Sequence, residues 1–291
     1  MSTFPTARDV RTTPEGLLWE PSRRWVRGLK GDVTVVDSRH PVLVWEPGVP
    51  VPLYAFPHHE VREDLLRPAK NPPTGTHTGS HVFYDLEIDG RSVENAAWTF
   101  PAEDLAGHIA FEWFRRVGRG LDHWYEEEEE IFIHPRDPHK RVDALPGSRH
   151  VRVGIDGTVV ADTHRPVLLF ETGLPTRYYI PREDVRLDLF EPTDHSTGCP
   201  YKGTATYWSW RGGSGGPGVP PNIVWSYPEP LPAVGGIKDL LAFYNEAVDI
   251  TVDGETLERP VTPFTETLSG RPSTGPSASS GAVNNPDTTA R

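Results

Sequence analysis

Cysteine is scarce in this sequence, with one residue, Cys199, among 291. A chain with a single thiol forms no intramolecular disulfide, and it cannot supply the several cysteines of a structural zinc site. Folding therefore has to rest on packing and hydrogen bonds. Because disulfide-free chains are typical of reducing compartments, the composition predicts a cytoplasmic protein.

Long apolar runs are also missing. No stretch approaches the roughly 20 consecutive apolar residues that a membrane-spanning helix needs. The first ten residues, Met1 to Val10, lack the basic region and the apolar segment of a secretory leader. The sequence therefore predicts a soluble protein that makes no membrane contact.

Basic residues are outnumbered, with 29 Lys and Arg against 41 Asp and Glu and a formal net charge of -12. Broad nucleic-acid binding needs a surplus of Lys and Arg to displace phosphate counterions. The acidic run from Glu126 to Glu130 suggests either a cation site or a solvated edge, and a solvated edge is the commoner role of such a block. We expect a small-molecule ligand and no nucleic-acid partner.

What the sequence does contain is one domain-sized segment twice. Residues 37–50, DSRHPVLVWEPGVP, align with residues 162–175, DTHRPVLLFETGLP, and Trp98-Thr-Phe-Pro later aligns with Trp225-Ser-Tyr-Pro. A period of about 125 residues is too long for a solenoid unit and fits a tandem duplication of one compact domain. We predict a first domain over residues 20–133 and a second over residues 149–258.

The segments outside the two copies differ in composition. Residues 134–148 are polar and contain proline, which predicts a semi-rigid linker. Residues 259–291 are rich in Ser, Thr, Pro and Gly, which predicts a disordered tail. His134 and His139 have no third ligand at a suitable spacing, so we predict no metal there.

Each copy has the pattern of a mainly β domain. Asp156-Gly157 lies between two apolar runs and predicts a two-residue hairpin turn. Helical spacing predicts about one helix per copy, over residues 105–113 and 237–244. Residues 185–189 fit either a half-buried strand or a helical turn. The predicted strands are residues 34–36, 42–45, 151–155, 158–161, 167–170 and 204–210.

Several motifs together resemble a known bacterial family. They are residues 162–173, Pro181-Arg-Glu-Asp-Val-Arg, Glu191-Pro-Thr-Asp, Cys199-Pro-Tyr-Lys-Gly-Thr-Ala and Trp225-Ser-Tyr-Pro. Over nearly all of residues 20–258, the chain resembles two copies of the family catalogued as domain of unknown function 427. The resemblance implies two tandem β-tent-like domains, each a small fold of curved antiparallel sheets that several zinc-binding families share.

The resemblance also bears on activity and cofactors. Because the cysteines that hold zinc in related folds are absent, it implies no metal and no other cofactor. The family has been labelled nucleotidyltransferase-like, which implies a transferase but assigns no role to any residue.

The densest group of reactive side chains lies in the second copy. Cys199 is a candidate nucleophile, and His195 and Lys202 can stabilise its thiolate if they lie close to it in space. With Tyr201, one turn carries a thiol, a phenol and an amine. We predict Cys199, Lys202 and Tyr201 as catalytic residues. The alternative is a small buried thiol beside a packed tyrosine ring.

Other side chains of the second copy are predicted to bind the ligand. Arg182 with Lys202 can hold an anionic group, and Tyr207 with Trp225 can stack on a planar one. The alternatives are surface ion pairs for the two basic residues and core packing for the two rings. The predicted binding residues are His195, Arg182, Asp194, Tyr207 and Trp225.

The first copy lacks the reactive group. An Arg-Asp pair occurs in both copies, as Arg62 with Asp64 and as Arg186 with Asp188. Its presence in both copies favours an architectural role for the pair. We therefore expect the second domain to carry the function, either as an enzyme acting on a small anionic or planar molecule or as a noncatalytic binding or interaction module. The positions of His195, Cys199, Tyr201 and Lys202 hold Asn71, Gly75, His77 and Thr78 in the first copy.

Overall fold

Antiparallel strands are the main regular structure of both copies, as the sequence predicts. The computed structural model describes residues 17–47, 49, 51–73, 81–113, 120–212 and 219–268. These residues fall into two compact units that meet in the chain between Asp137 and Pro138. No helix among the described residues is long and apolar enough to cross a membrane.

The described residues of the first unit form eleven strands in two sheets. A seven-stranded sheet has the order β1-β4-β5-β9-β8-β7-β6, and a four-stranded sheet has the order β11-β10-β2-β3. The strands are β1 Leu18–Pro21, β2 Val26–Lys30, β3 Val33–Ser38, β4 Val42–Trp45, β5 Leu53–Pro57, β6 Leu66–Pro68, β7 Phe83–Ile88, β8 Arg91–Thr99, β9 His108–Phe111, β10 His123–Glu126 and β11 Glu129–Ile131.

The second unit also contains eleven strands, and a short helix follows them. Its sheets have the orders β12-β15-β16, β17-β18-β19-β20 and β14-β13-β21-β22. The elements are β12 Val142–Pro146, β13 Val151–Ile155, β14 Thr158–Thr163, β15 Val167–Glu171, β16 Arg177–Tyr179, β17 Phe190–Cys199, β18 Gly203–Trp210, β19 Val224–Ser226, β20 Leu241–Phe243, β21 Asp249–Val252, β22 Glu255–Thr256 and α1 Pro263–Leu268.

The two units share one topology. In the second unit, Ile180 and Leu241 exchange backbone hydrogen bonds of 2.8 and 2.9 Å, which join β16 to β20. The strand order β12-β15-β16-β20-β19-β18-β17 therefore repeats the seven-stranded order of the first unit.

In the second unit, residues on both faces of the strand order β12-β15-β16-β20-β19-β18-β17 are buried. Successive side chains of a strand point to opposite faces, so neighbouring residues enter different cores. Leu168 and Tyr178 pack in the core that includes the β13–β14 hairpin, whereas Leu169, Tyr179 and Tyr207 pack on the other side. We call this other side the tyrosine face, and its members include Val167, Leu169, Tyr179, Tyr207, Trp225 and Tyr227.

Turn chemistry explains the local geometry that the sequence predicts. Asp156 and Gly157 have φ values of 48° and 75°, and Ile155 pairs with Thr158 across them. Positive φ at both central residues is the requirement of the hairpin turn that Asp-Gly favours. Residues 182–184 and 187–189 form 3-10 turns, so the helical-turn alternative holds for this region.

Both helices predicted inside the copies are wrong. Each consists of a 3-10 turn followed by a short strand, with Glu103–Leu105 before β9 and Pro232–Ile237 before β20. β9 and β20 lie inside sheets, so both of their faces are apolar and the usual period-two signal is missing. The described α-helix is α1 instead, within the segment predicted to be a disordered tail; residues 269–291 of that segment lie outside the described residues.

The linker prediction also needs correction. Part of residues 134–148 is strand β12, which pairs with β15 through Val142–Glu171 and Pro146–Val167. Because β12 belongs to the sheet β12-β15-β16, it is part of the second domain. The connector between the domains is therefore shorter than the composition predicted. His134 lies before it as a buried residue, with Nδ1 2.7 Å from the Pro135 carbonyl oxygen.

Candidate functional site

A tight turn at the end of β17 carries the three predicted catalytic residues. Pro200, Tyr201 and Lys202 connect β17 to β18, and the Lys202 amide donates to the Cys199 carbonyl at 3.2 Å. Gly203 follows with φ +102°, and a Cβ there would lie 2.9 Å from a neighbouring carbonyl oxygen. Proline fixes the turn entry and glycine permits its exit, which gives a rigid three-residue hairpin loop.

The Lys202 side chain points inward to a carboxylate. Its Nζ lies 2.5 Å from Oε2 of Glu171, and the two side chains are 12% and 4% exposed. Lys140 Nζ lies 2.9 Å from the other oxygen of the same carboxylate. Two ammonium groups share one carboxylate, so this cluster of Lys140, Glu171 and Lys202 has a formal charge of +1. We call it the lysine cluster.

Glu171 and Lys202 hold each other ionised. Burial alone would raise the pKa of Glu171, but Lys202 and Lys140 outweigh it and lower that pKa from 4.5 to about 2. Burial acts to lower the pKa of Lys202, yet that pKa is raised because the lysine faces the negative charges of ionised Cys199 and of Glu171. Glu171 and Lys202 therefore stay charged throughout the neutral pH range.

Cys199 lies within electrostatic range of this cluster. It is a free, half-buried cysteine, and its ionised form contributes to the raised pKa of Lys202. It also contributes, after burial, to the raised pKa of Tyr227. Cys199 and Lys202 bound one tight turn, in which the Lys202 amide donates to the Cys199 carbonyl.

Tyr201 lies at the outer side of the same group. Its ring is half-buried, and Lys140 Nζ lies 5.3 Å from the ring centroid. This distance is within the range of a cation–π contact. Lys140 therefore contacts both the carboxylate and the turn, although it comes from the segment that the sequence assigned to the linker.

The tyrosine face surrounds the lysine cluster with phenol groups. Trp225 Nε1 donates to the Tyr179 hydroxyl at 3.0 Å, and the Tyr207 hydroxyl lies 2.6 Å from Thr197 Oγ1. Burial raises the pKa of Tyr179 to about 12, which keeps this phenol protonated. These hydroxyls are therefore neutral hydrogen-bonding groups at physiological pH.

Two predicted ligand-stacking residues have little free surface. Tyr207 is 5% exposed and Trp225 is 7% exposed, and the Trp225 ring lies 4.6 Å from that of Tyr244. A ring packed on its neighbours has no open face for a planar ligand. The geometry favours the alternative that both are core residues.

The remaining predicted binding residues are divided between two surfaces. Arg182 lies 5.1 Å from the ring of Trp208, which contacts the core opposite the tyrosine face. Asp194 is exposed where the β17–β18 register shifts. His195, from the same irregularity, lies with its ring 4.7 Å from that of Tyr207. Of the three, only His195 contacts the tyrosine face.

An open cleft of about 250 Å³ lies beside the lysine cluster. Phe170 and Thr172 flank Glu171 in sequence and help to form its wall. Glu171 itself also lines the cleft, whereas none of the turn residues Cys199 to Lys202 does. The cleft therefore does not amount to a ligand pocket at the thiol.

Glu171 and Lys140 were missed as site residues. A usable signal was present for Glu171, because it follows Val167 and Leu169 at the core-facing positions of one strand. An acidic residue in that phase predicts a buried carboxylate with a basic partner. Among the described residues, no group of three or more His, Cys, Asp or Glu side chains is placed to hold a metal ion.

Comparison with known proteins agrees with the repeat and the fold. The family model of a domain of unknown function, DUF427, matches residues 18–126 and again residues 143–254. The two matches cover most of the chain, and each falls within one structural unit. No curated protein matches the sequence.

Proposed function

Because the chain belongs to the DUF427 family, whose description assigns no activity, we propose a function from the geometry: the second domain acts on a small anionic molecule, with Cys199 as its nucleophile. The observation that carries this proposal is the lysine cluster, a buried group of net charge +1 beside the only thiol of the chain.

The positive charge of the lysine cluster favours two events of such a reaction, namely formation of the thiolate and binding of the anionic molecule. A cation near a thiol stabilises the thiolate, which is the nucleophilic form. Lys140 and Lys202 are also ordinary partners of carboxylate and phosphate groups. In this proposal Cys199 attacks, Lys202 supplies fixed positive charge and Tyr201 forms the adjacent wall.

The anionic part of the predicted ligand is better supported than the planar part. Tyr207 and Trp225 are packed, whereas Lys140 is 21% exposed and lies next to the half-buried Tyr201. The site can therefore recognise an anionic ligand by its charge, without aromatic rings that stack on the ligand.

A noncatalytic binding module is the second candidate. One observation favours it: Glu171 already pairs with both lysines, so the lysine cluster is stable without any reaction partner. In that case the domain would hold an anion beside Cys199 without forming a bond to it.

Nucleotidyl transfer gains little from the described residues. Two carboxylates that could take part in such chemistry, Asp184 and Asp188, pair with Arg165 and Arg186 respectively. Carboxylates that neutralise neighbouring arginines are typical of structural ion pairs.

Alkylation of the full chain tests the proposal, because Cys199 is its only thiol. We expect iodoacetamide to label the protein at pH 7 several-fold faster than it labels N-acetylcysteine in the same buffer, since the lysine cluster favours the nucleophilic form. Mass spectrometry gives the rate, and Cys199→Ser is the unlabelled control. A rate well below that of the free thiol would contradict a nucleophilic role.

The same variant separates the two candidates. Inorganic phosphate and citrate serve as probe anions in thermal-shift and calorimetric titrations. A binding module predicts a slowly reacting thiol and unchanged anion affinity in Cys199→Ser. An enzyme predicts fast labelling that saturating anion slows, because the bound anion lies next to the thiol.

A further inference from the structure

The two lysines that share Glu171 are held differently. Lys202 is fixed in the turn, its Nζ is 2.5 Å from the carboxylate, and its side chain is 12% exposed. Lys140 has a longer contact of 2.9 Å and a side chain that is 21% exposed. Lys140 is therefore the cation of the pair that a molecule arriving from solvent reaches more easily.

Lys140 is also placed toward the reactive turn. Its ammonium group lies 5.3 Å from the ring centroid of Tyr201, which stands two residues after Cys199. An ammonium group has three N–H donors, and the contact with Glu171 uses one of them. Donors thus remain for an oxyanion that approaches over Tyr201.

We propose that Lys140 is the specificity-determining residue of the second domain: it selects a ligand with a carboxylate or phosphate group and holds that group beside Cys199. Lys202 stays on Glu171 and keeps the buried carboxylate neutralised. This inference rests on the proposed function and assigns its charge selectivity to one side chain.

The sequence of the first copy has no lysine at the corresponding offset. In the strand pairing, Leu18 opposite Trp45 corresponds to Asp143 opposite Phe170. Three residues before Leu18 the sequence has Glu15, where three residues before Asp143 it has Lys140. At this sequence offset the two copies therefore have residues of opposite formal charge, which fits anion selection in the second copy alone.

Two alkylating reagents of similar size and different charge test the inference. Iodoacetate is anionic and iodoacetamide is neutral. In both reactions the thiolate sulfur attacks the methylene carbon, the S–C bond forms as the C–I bond breaks, and iodide leaves with the bonding electrons. The ratio of the two rate constants at Cys199 reports the preference for an anion and cancels differences in thiol reactivity.

In the full chain, we expect Lys140→Gln to lower the iodoacetate-to-iodoacetamide ratio by about three- to tenfold, the effect of one nearby charge under partial screening. Lys140→Glu should lower it further, and Lys140→Arg should retain it. Arg152→Gln is the matched control, because it removes one charge from β13, in a different sheet of the same domain.

Each outcome bears on a separate claim. An unchanged ratio in Lys140→Gln, with iodoacetamide labelling still fast, would overturn the role of Lys140 and leave the nucleophile intact. Slow iodoacetamide labelling of the unmodified protein would instead reject the proposed function. Protection of Cys199 by phosphate or by acetate shows which oxyanion is preferred, and Lys140→Gln should weaken that protection. Equal protection in Lys140→Gln would contradict the inference.

Discussion

The tyrosine face of the second domain carries buried phenol hydroxyls, whereas the core cluster on the equivalent face of the first domain contains none. Strand registers identify the matching positions: Trp98 pairs with Phe83 in the first copy, and Trp225 pairs with Tyr207 in the second. A tyrosine with a hydrogen-bonded hydroxyl therefore replaces a phenylalanine.

Two further positions repeat this difference. Ala55 pairs with Val42 in the first copy, whereas Tyr179 pairs with Val167 in the second. Tyr227, two residues after Trp225, takes the place of Phe100, and both are at most 5% exposed. Among the described residues, the equivalent core of the first copy packs without phenol hydroxyls. The hydroxyls of the second copy are thus more than the fold requires, which is why we place function there.

One polar residue is common to both interiors. Glu46 and Glu171 occupy the same position after β4 and in β15, and both are buried. In the sequence alignment, Thr78 of the first copy stands where the second copy has Lys202. The two copies therefore share a buried carboxylate, and variants at Glu171 and its surroundings are the sharpest way to examine the second copy.

Glu171→Gln should have the largest effect. It leaves the ammonium groups of Lys140 and Lys202 in a buried site without their carboxylate, which is expected to cost about 3–5 kcal/mol in the free energy of unfolding. Urea unfolding of the full chain measures it. As a control, Glu171→Met combined with Lys202→Met removes the buried pair together and should recover part of the loss. A loss below about 1 kcal/mol in Glu171→Gln would show that the lysine cluster is effectively solvated.

Acid should weaken the second domain through the same residue. The pKa of Glu171 is about 2 in the folded chain against an ordinary value of 4.5. Its lowered pKa gives stability that is present above pH 4.5 and lost as the pH falls from 4.5 toward 2, on the order of 3 kcal/mol in total.

Thermal unfolding between pH 2 and pH 5 measures this loss. Glu171→Gln has no carboxylate to titrate at this position, so its stability should depend less steeply on pH than that of the unmodified chain. Parallel pH profiles for the two proteins would contradict the pairing of Glu171 with the lysines.

Local signals in the sequence predicted much of the fold. The repeat, the strands and the Asp156-Gly157 turn depend on neighbouring residues, and the structure confirms them. The predicted helices failed because Ile109 and Ala110 in β9 are both buried. A strand with two buried faces has no alternation, and its apolar residues can match a helical spacing by chance.

The candidate site was only partly predictable for a related reason. Cys199, Tyr201 and Lys202 are neighbours in sequence, so their turn could be recognised directly. Glu171 lies 31 residues from Lys202, and their contact depends on how β15 packs against the β17–β18 hairpin. Lys140 depends in addition on the β12–β15 register. Contacts of this kind follow from the assembled sheet and have no local sequence pattern.

Tyr207→Phe is expected to have the smallest effect and tests the comparison most directly. It restores the residue type of Phe83 and removes a 2.6 Å hydrogen bond to Thr197, so the cost should be about 1 kcal/mol. Thr197 is half-buried, and solvent can replace the lost partner. Urea unfolding compares the variant with the unmodified chain. A loss above about 3 kcal/mol would mean that the hydroxyl is needed for folding, and the phenols would then no longer distinguish a functional domain from a structural one.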